Sequence, residues 1–487
     1  MKIGIIGAGI AGLATAIRLA CRGFEVTVFE ANGYAGGKLS QIEQDGFRFD
    51  AGPSLFTLPT LVDELLELAD KNTTDYFAYT RLPMVCKYFY EDGTVIEGLS
   101  KPKDFCIEVY KKTGEHPQKV YEHLERSRQK YDLTKKIFLE SSLHKMQTYL
   151  MPKTFNAISK LSQLDLTKTM NEANELQFTS PKVVQLFNRF ATYNGSDPYQ
   201  APATLNIIPH LEHNIGAYFP IGGMYAITQT LLRVAKELGV VFHFNSRVQS
   251  IEVDGKKVLG LKVGEKRWKF DKVVSNMDVF YTYRKLLPNQ KAPEKTLQQP
   301  KSSSALIFYW GIKQQFPQLD LHNIFFGKDY KAEFDHIFQQ KTVYQDPTIY
   351  LNISSKYQPN DAPKGSENWF VMVNVPANEG QDWEQLIAVT RQNVLQKLSR
   401  MLKVNISKHI VTEAMLDPRS IEAKTASHQG ALYGSNSNNK FAAFLRHPNF
   451  SSSIKGLYFC GGSVHPGGGI PLCLLSAKIV DGLIGDR

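Results

Sequence analysis

Between Lys2 and Glu30 the chain sets a strand, a glycine turn, a helix and a second strand in succession, and no other stretch restricts the fold as tightly. Residues 2–6 (Lys-Ile-Gly-Ile-Ile) read as a short buried strand. Gly7-Ala8-Gly9-Ile10-Ala11-Gly12 follows, Leu13 to Ala20 has helical character, and Phe24 to Glu30 is a strand rich in Val and Phe. A GxGxxG alone signals little more than a turn. Placed between a strand and a helix within one βαβ unit, it predicts a doubly wound α/β fold that binds a dinucleotide. The opening also imitates a signal peptide, with Lys2, an apolar run and Ala20-Cys21. The glycines stand where a βα turn needs them, so the turn is the better reading.

Each position has a physical task. Gly7 permits the tight turn off the strand, Gly9 lets backbone come close to a pyrophosphate, and Gly12 lets the helix pack on the sheet. The helix N-terminus offers unpaired N–H groups and a positive dipole end to the phosphates. Glu30 closes the second strand, eighteen residues after Gly12. A carboxylate there accepts hydrogen bonds from a ribose 2′-hydroxyl and repels a 2′-phosphate, which disfavours NADP.

The rest of the composition narrows the class. A chain of 487 residues predicts two or three domains, and 43% hydrophobic residues supply a large core. Fifty-seven bases against 47 acids give a surplus of +10, which favours anionic partners such as lipid headgroups. No finger, basic zipper or RNP-like motif points to nucleic acid. The cysteines Cys21, Cys86, Cys106, Cys460 and Cys473 are scattered and odd in number, without a CxxC pair. That pattern fits a reducing, cytoplasmic compartment and neither a disulfide framework nor a metal site. No run is long and apolar enough to span a membrane. No GxSxG elbow, HExxH or Walker loop occurs.

Three further segments choose between dinucleotides. Gly36-Gly37-Lys38-Leu39-Ser40 follows the second strand, and Gly46-Phe-Arg-Phe-Asp-Ala-Gly52-Pro53 comes after it. Near the end stands Gly456-Leu-Tyr-Phe-Cys-Gly461-Gly462-Ser-Val-His465-Pro-Gly-Gly-Gly469-Ile470-Pro471, then a helix-like run to Ile484. Leu457 to Cys460 reads as a strand and Gly467 to Gly469 as a loop able to approach a ligand. Pro471 suits the first turn of a helix, whose N-terminus would aim positive potential at a ligand.

With these residues the chain resembles the phytoene desaturase family of bacterial carotenoid desaturases over nearly its whole length. Tyr193-Asn-Gly-Ser-Asp-Pro-Tyr-Gln-Ala-Pro-Ala203 and Tyr218-Phe-Pro-Ile-Gly-Gly-Met224 share in the likeness, and the closing His465-Pro-Gly-Gly-Gly-Ile-Pro471 is its most specific part. Within the family it is most similar to the hydroxycarotenoid 3,4-desaturase branch. The resemblance implies FAD, with Gly36, Gly37 and Lys38 crossing the adenosine and pyrophosphate. Gly52, Pro53, Gly461, Gly462, Gly469, Ile470 and Pro471 would lie along the cofactor, and the backbone of Val248 would meet the adenine. One departure from the wider flavoenzyme pattern is Gly461-Gly462 where many members have Gly-Asp, so no carboxylate there holds the ribitol.

The resemblance also implies a discontinuous, Rossmann-type FAD domain built from residues 1–80, 216–280 and 430–487. Residues 281–429 hold strand-like runs at Ser304 to Trp310, Asn323 to Phe326, Thr348 to Ile353 and Trp369 to Val375, with an amphipathic helix from Asp382 to Leu402. They predict a mostly antiparallel substrate sheet. Residues 81–215 read as a largely helical, membrane-facing part of the substrate domain. From 126 to 168 nine bases stand against three acids, and Phe155, Ile158, Leu161 and Leu164 recur every third residue. That suits a helix in a membrane interface or an ordinary surface helix with its apolar face inward.

The implied chemistry is desaturation of a polyene, with a hydride passing to flavin N5 and a proton lost from the adjacent carbon. Only one GxGxxG occurs, so the electrons are expected to reach O₂ or a quinone. His465 is a weak candidate for contact with flavin or substrate, and no general base is assigned. A carotenoid cannot cross water at useful levels, so peripheral docking to the membrane follows from the function. Rival readings are a redox-neutral carotenoid isomerase, an amine or protoporphyrinogen oxidase, and a non-enzymatic prenyl-lipid escort of the same architecture.

Overall fold

The computed structural model describes residues 1–145, 148, 165, 167–439 and 446–485. Among them a five-stranded sheet runs in the order Leu457–Phe459, Lys272–Ser275, Lys2–Ile6, Glu25–Phe29, Val241–His243, every pair parallel. Ile3, Ile5, Val28, Val273 and Val274 are fully buried, as expected of a parallel sheet covered on both faces. The helix Ile10–Cys21 is apolar around most of its circumference and buried from Ile10 to Leu19. It packs between the helices Tyr225–Glu237 and Ile470–Ile484, joining Leu13 and Ile17 to Ile227, Leu231, Leu474 and Val480 in one core. Truncating a fully buried leucine there, such as Leu13→Ala, costs about 2–5 kcal/mol.

A second, seven-stranded sheet has the order Ile410–Leu416, Ser304–Ile312, Glu367–Val375, Ile349–Asn352, His322–Phe325, Met84–Phe89, Val95–Leu99. Its pairs are antiparallel except His322–Phe325 with Met84–Phe89. The helix Trp383–Leu402, capped by the Asp382 side chain on Gln385 N–H, buries Trp383, Val394 and Leu398 against one face of it. The other face presents Ile307, Phe370 and Met372 toward the cavity described below.

Two strand expectations need correction. Met84–Phe89 and Val95–Leu99 lie in a stretch expected to be helical, yet they extend the second sheet. Val95–Leu99 alternates between half-buried and buried positions as a strand does, and Gly93 turns the chain back at φ +83°. The strand expected over Val240 to Asn245 is confined to Val241–His243, because Asn245 takes the left-handed conformation. Pro102–Thr113, Pro117–Thr134, Met170–Gln177 and Pro181–Asn188 are helices, as the polar stretch predicted. The ladder Phe155 to Leu164, with Lys153 and Lys160, lies outside the described residues.

Candidate functional site

A cavity of about 1070 Å³ opens at the carboxyl ends of the parallel strands, where ligands of open α/β sheets bind. Gly7, Gly9, Glu30, Val248 and Asn276 line one part of it, and Ile307, Tyr350, Phe370 and Met372 another. Tyr131, Phe138 and Leu139 line it where the chain enters the basic segment.

The glycine turn has the conformation its residues demand. Gly7 takes φ +92°, and its N–H donates to the Phe29 carbonyl at 2.8 Å. A Cβ on Gly12 would stand 2.2 Å from the Gly7 carbonyl oxygen, so the helix could not seat on the turn. A Cβ on Gly9 would stand 2.7 Å from Asn276 Oδ1. Gly9, Ile10 and Ala11 border the cavity, and N–H groups of a first turn have no partner within the helix.

Glu30 is buried and tied at both oxygens, accepting from Ala8 N–H and Asn32 N–H at 2.8 Å each. A carboxylate has about four lone-pair directions, so acceptor capacity is left for ribose hydroxyls. The Ser246 N–H donates to the Glu30 carbonyl and brings the backbone of Val248 beside that strand. Gly36 donates its N–H to Ala8 O at φ +112°, closing the turn from the far side.

Lys38, which the resemblance sets along the cofactor, lines the cavity. Its buried ammonium donates to the carbonyls of Ala431 and Leu432 at 3.1 and 2.8 Å, and burial lowers its pKa. It therefore holds the segment before the C-terminal loop, and one donor remains. At Gly52 a Cβ would fall 1.8 Å from the Lys38 carbonyl oxygen, so 38 and 52 pass in backbone contact, with Pro53 next on the cavity wall. Asp50 of the same motif accepts the N–H groups of Met224 and Tyr225 and caps the helix Tyr225–Glu237.

At the C-terminal loop Gly461 and Gly469 take φ +109° and +104°. A Cβ on Gly469 would meet nothing within 4 Å, so the helix Ile470–Ile484 starts at open space with Pro471 in its first turn. Gly461 and Gly462 line the cavity, and the loop packs on itself, since a Cβ on Gly462 would come 3.2 Å from Gly468 Cα. Two helix N-termini at Ile10 and Ile470, a carboxylate ending the second strand and close-passing glycines form a cradle that fits a flavin dinucleotide.

Three features escaped the sequence. Asn276, directly after the strand Lys272–Ser275, bridges Gly12 N–H to the Cys460 carbonyl. Its only signal was a polar residue at the carboxyl end of a parallel strand. Arg446 is fully buried on the cavity wall, donating to the carbonyls of Tyr433 and Ser435 and to Asn194 Oδ1, with no carboxylate paired to it among the described residues. Burial brings its pKa down to about 10. Deeper in the substrate part, Arg189 and Glu212 form a buried pair at 3.0 Å, with Tyr88 and Tyr193 also bonded to Glu212. Burial alone would raise the Glu212 pKa, but Arg189 holds it below the ordinary value.

His465 lies on the cavity wall, buried, with Nε2 2.9 Å from the Ser141 carbonyl. A carbonyl only accepts, so Nε2 carries the hydrogen. Burial pushes the ring pKa down to about 4 and leaves it neutral at neutral pH. In the basic segment Arg128, Lys130 and Lys135 pair with Glu125 and Asp132, Asp165, and Glu140. No helix among the described residues is long and apolar enough to cross a membrane.

A family model for the flavin containing amine oxidoreductases matches residues 10–480. The chain is 52% identical over 480 residues to a 1-hydroxycarotenoid 3,4-desaturase of a Flavobacterium species, covering 99% of this chain and 98% of that protein. It is 32% identical over 495 residues to a 4,4'-diaponeurosporene oxygenase of Staphylococcus aureus, with 99% and 98% covered. Among solved structures a redesigned putrescine oxidase is similar at a TM-score of 0.65 and 15% identity, over 100% of this chain and 99% of its own; that likeness shows the fold.

Proposed function

The chain belongs to the flavin-containing amine oxidoreductase family, and from that membership we propose that it is an FAD-dependent carotenoid desaturase acting on the 3,4 bond of a 1-hydroxycarotenoid. The observation that carries this reading is the end-to-end likeness to the 1-hydroxycarotenoid 3,4-desaturase.

Bound FAD supplies a two-electron acceptor for the C–H bond to be broken. The protein's part is to bind, orient and exclude water. The helix N-termini at Ile10 and Ile470 offer N–H groups and positive potential to phosphate and to the flavin's electron-rich edge, and Glu30 receives the ribose hydroxyls. Gly36, Gly37, Gly52, Pro53, Gly461 and Gly462 let backbone lie along the cofactor. Ile307, Phe370, Met372 and Leu416 give the polyene an apolar wall. The substrate loses a hydride equivalent and a proton from adjacent carbons. Charge spread along a polyene weakens the demand for a protein base, and the neutral His465 is not assigned one. O₂ or a quinone takes the electrons.

We divide the chain into a discontinuous FAD-binding domain with the parallel sheet and a substrate domain with the antiparallel sheet. Its helical part is the membrane-facing side. Ile107, Tyr110, Tyr121 and Leu176 are exposed there, and the wall at Tyr131, Phe138 and Leu139 adjoins the basic segment. Peripheral docking at this side would pass the polyene from bilayer to cavity without crossing water.

The test is to incubate FAD-loaded protein with candidate carotenoids and follow the polyene absorption with product mass. A red shift with loss of two hydrogens is expected. Gain of oxygen would move the protein to end-group oxygenation, an unchanged mass to isomerisation, and purified protein without flavin absorbance would end the flavoenzyme reading.

A further inference from the structure

We propose that His322, Tyr350 and Ser54 form the recognition site for the hydroxyl group at the end of the polyene, with the His322 Nε2–H donating to its oxygen. The proposal rests on the substrate reading above.

The three side chains line the cavity and form one hydrogen-bonded chain. Ser54 Oγ lies 2.8 Å from Tyr350 OH, and Tyr350 OH lies 2.7 Å from His322 Nδ1. Asn352 Nδ2 stands 3.2 Å from the same His322 Nδ1 and 3.1 Å from the Leu321 carbonyl. The carbonyl contact fixes the amide's orientation, because a carbonyl only accepts. An amide nitrogen only donates, so His322 Nδ1 is an acceptor and carries no hydrogen. Burial holds the ring neutral, with its pKa down to about 4. A neutral ring with a bare Nδ1 bears its hydrogen on Nε2. That Nε2–H has no hydrogen-bond partner among the described residues.

A buried donor without an acceptor costs free energy, and native structures rarely leave one without a reason. The nearby Glu212 is already held by Arg189, Tyr88 and Tyr193. A substrate hydroxyl oxygen supplies the missing acceptor. Because Tyr350 OH must donate to Nδ1, its oxygen accepts from Ser54, and the Ser54 oxygen keeps lone pairs for the hydroxyl's own proton.

Position agrees with chemistry. A hydroxyl on carbon 1 stands only a few bonds from carbons 3 and 4, so its partner must lie close to where the reacting C–H bond is held. Ser54 follows Gly52, which passes in contact with the Lys38 backbone beside the glycine turn, and Pro53 on the cavity wall. His322 and Tyr350 sit on paired strands of the substrate sheet, with His322 opposite Asn352.

The experiment uses the FAD-loaded full chain and two acyclic polyenes of equal length, one with and one without the terminal 1-hydroxyl. Turnover is read from the absorption shift, and the ratio of kcat/KM between the two is compared across variants. Wild type is expected to favour the hydroxylated polyene. His322→Phe should lower that preference about ten-fold, the size of one lost hydrogen bond, chiefly through KM. His322→Gln, which keeps an N–H donor of similar reach, should recover part of it. Tyr350→Phe removes a single oxygen and should lower the ratio as well; it carries the test if His322→Phe purifies without flavin. A wild type that does not discriminate, or variants that keep the wild-type ratio at wild-type flavin content, would overturn the proposal while leaving the desaturase reading intact. Failure to convert either polyene would end both.

Discussion

Asn276 Oδ1 accepts the Gly12 N–H at 3.1 Å while its Nδ2 donates to the Cys460 carbonyl at 3.1 Å. One amide thus joins the first helix to the strand that leads into the C-terminal glycine loop. Its own N–H bonds the Ile6 carbonyl, so the residue is fixed from a third side. Asn276→Leu keeps the volume and leaves a buried donor and acceptor unpaired, a cost of about 1–3 kcal/mol. We expect a lower melting temperature and a lower flavin-to-protein ratio after purification. A variant with the wild-type flavin ratio would take Asn276 out of the cofactor site and leave it a purely structural bridge.

Gly9→Val acts at the same junction. Its Cβ would stand 2.7 Å from Asn276 Oδ1, and its methyl groups would enter the space offered to pyrophosphate. The expected product is a folded protein purified without FAD, read by its visible absorbance. Full flavin loading would show that the phosphates bind elsewhere.

Glu30→Gln replaces a carboxylate that accepts from Ala8 N–H and Asn32 N–H with an amide whose NH₂ faces one of those donors. Lost charge-assisted bonds to the ribose should weaken FAD binding by roughly 1.5–3 kcal/mol. Calorimetric titration of the apoprotein measures it. Unchanged affinity would mean that the ribose is held by other groups.

The parts of this site that could be read from sequence are those where one residue type answers one backbone demand. Gly7 at φ +92° and Gly469 at φ +104° are such places, as are Gly12 and Gly52, where a Cβ would overlap a carbonyl oxygen. What stayed hidden depends on partners that only folding brings together. Asn276 meets Gly12 across 264 residues, and the ammonium of Lys38 meets Ala431 across 393. Met84–Phe89 reads as a strand only once His322–Phe325 is known to be its neighbour. The orphan donor of His322 follows from an Asn352 contact that no local pattern encodes.

Acid should destabilise the protein through its buried histidines. Burial lowers His213, His322, His447 and His465 to about 4 each, against an ordinary value of 6.5, and pushes His123 well below it. Between about pH 4 and 6.5 the unfolded chain binds protons at these five histidines that the folded chain refuses, so stability is whole above the window and lost as pH falls through it. Glu333 runs the other way: burial raises it to about 7 from 4.5, so its term falls as pH rises between those values. Each proton is worth about 1.4 kcal/mol per pH unit, and between pH 4.5 and 6.5 the buried histidines outweigh Glu333. Urea midpoints across that range should drop on acidification, and Glu333→Gln should steepen the drop by about one proton. A flat profile would show that these rings are not held neutral.

Membrane docking is tested by charge reversal in the basic segment. Nine bases stand against three acids between 126 and 168, and Lys168 is exposed. A lysine near an anionic surface contributes about 1 kcal/mol, so changing Lys153, Lys160 and Lys168 to Glu should weaken binding to anionic liposomes by about 3 kcal/mol or more. Flavin content should not change, because none of the three is among the residues assigned to the cofactor. Salt should act on the same term, since screening shortens to about 3 Å at 1 M, while any contribution from inserted apolar side chains persists. Wild type that sediments with anionic vesicles at low salt, and partly at high salt, would show both terms at once. Equal binding by the triple variant would remove this segment from the docking face. It would leave the desaturase reading standing, because the need to take a polyene from lipid comes from the insolubility of the substrate and not from where these lysines lie.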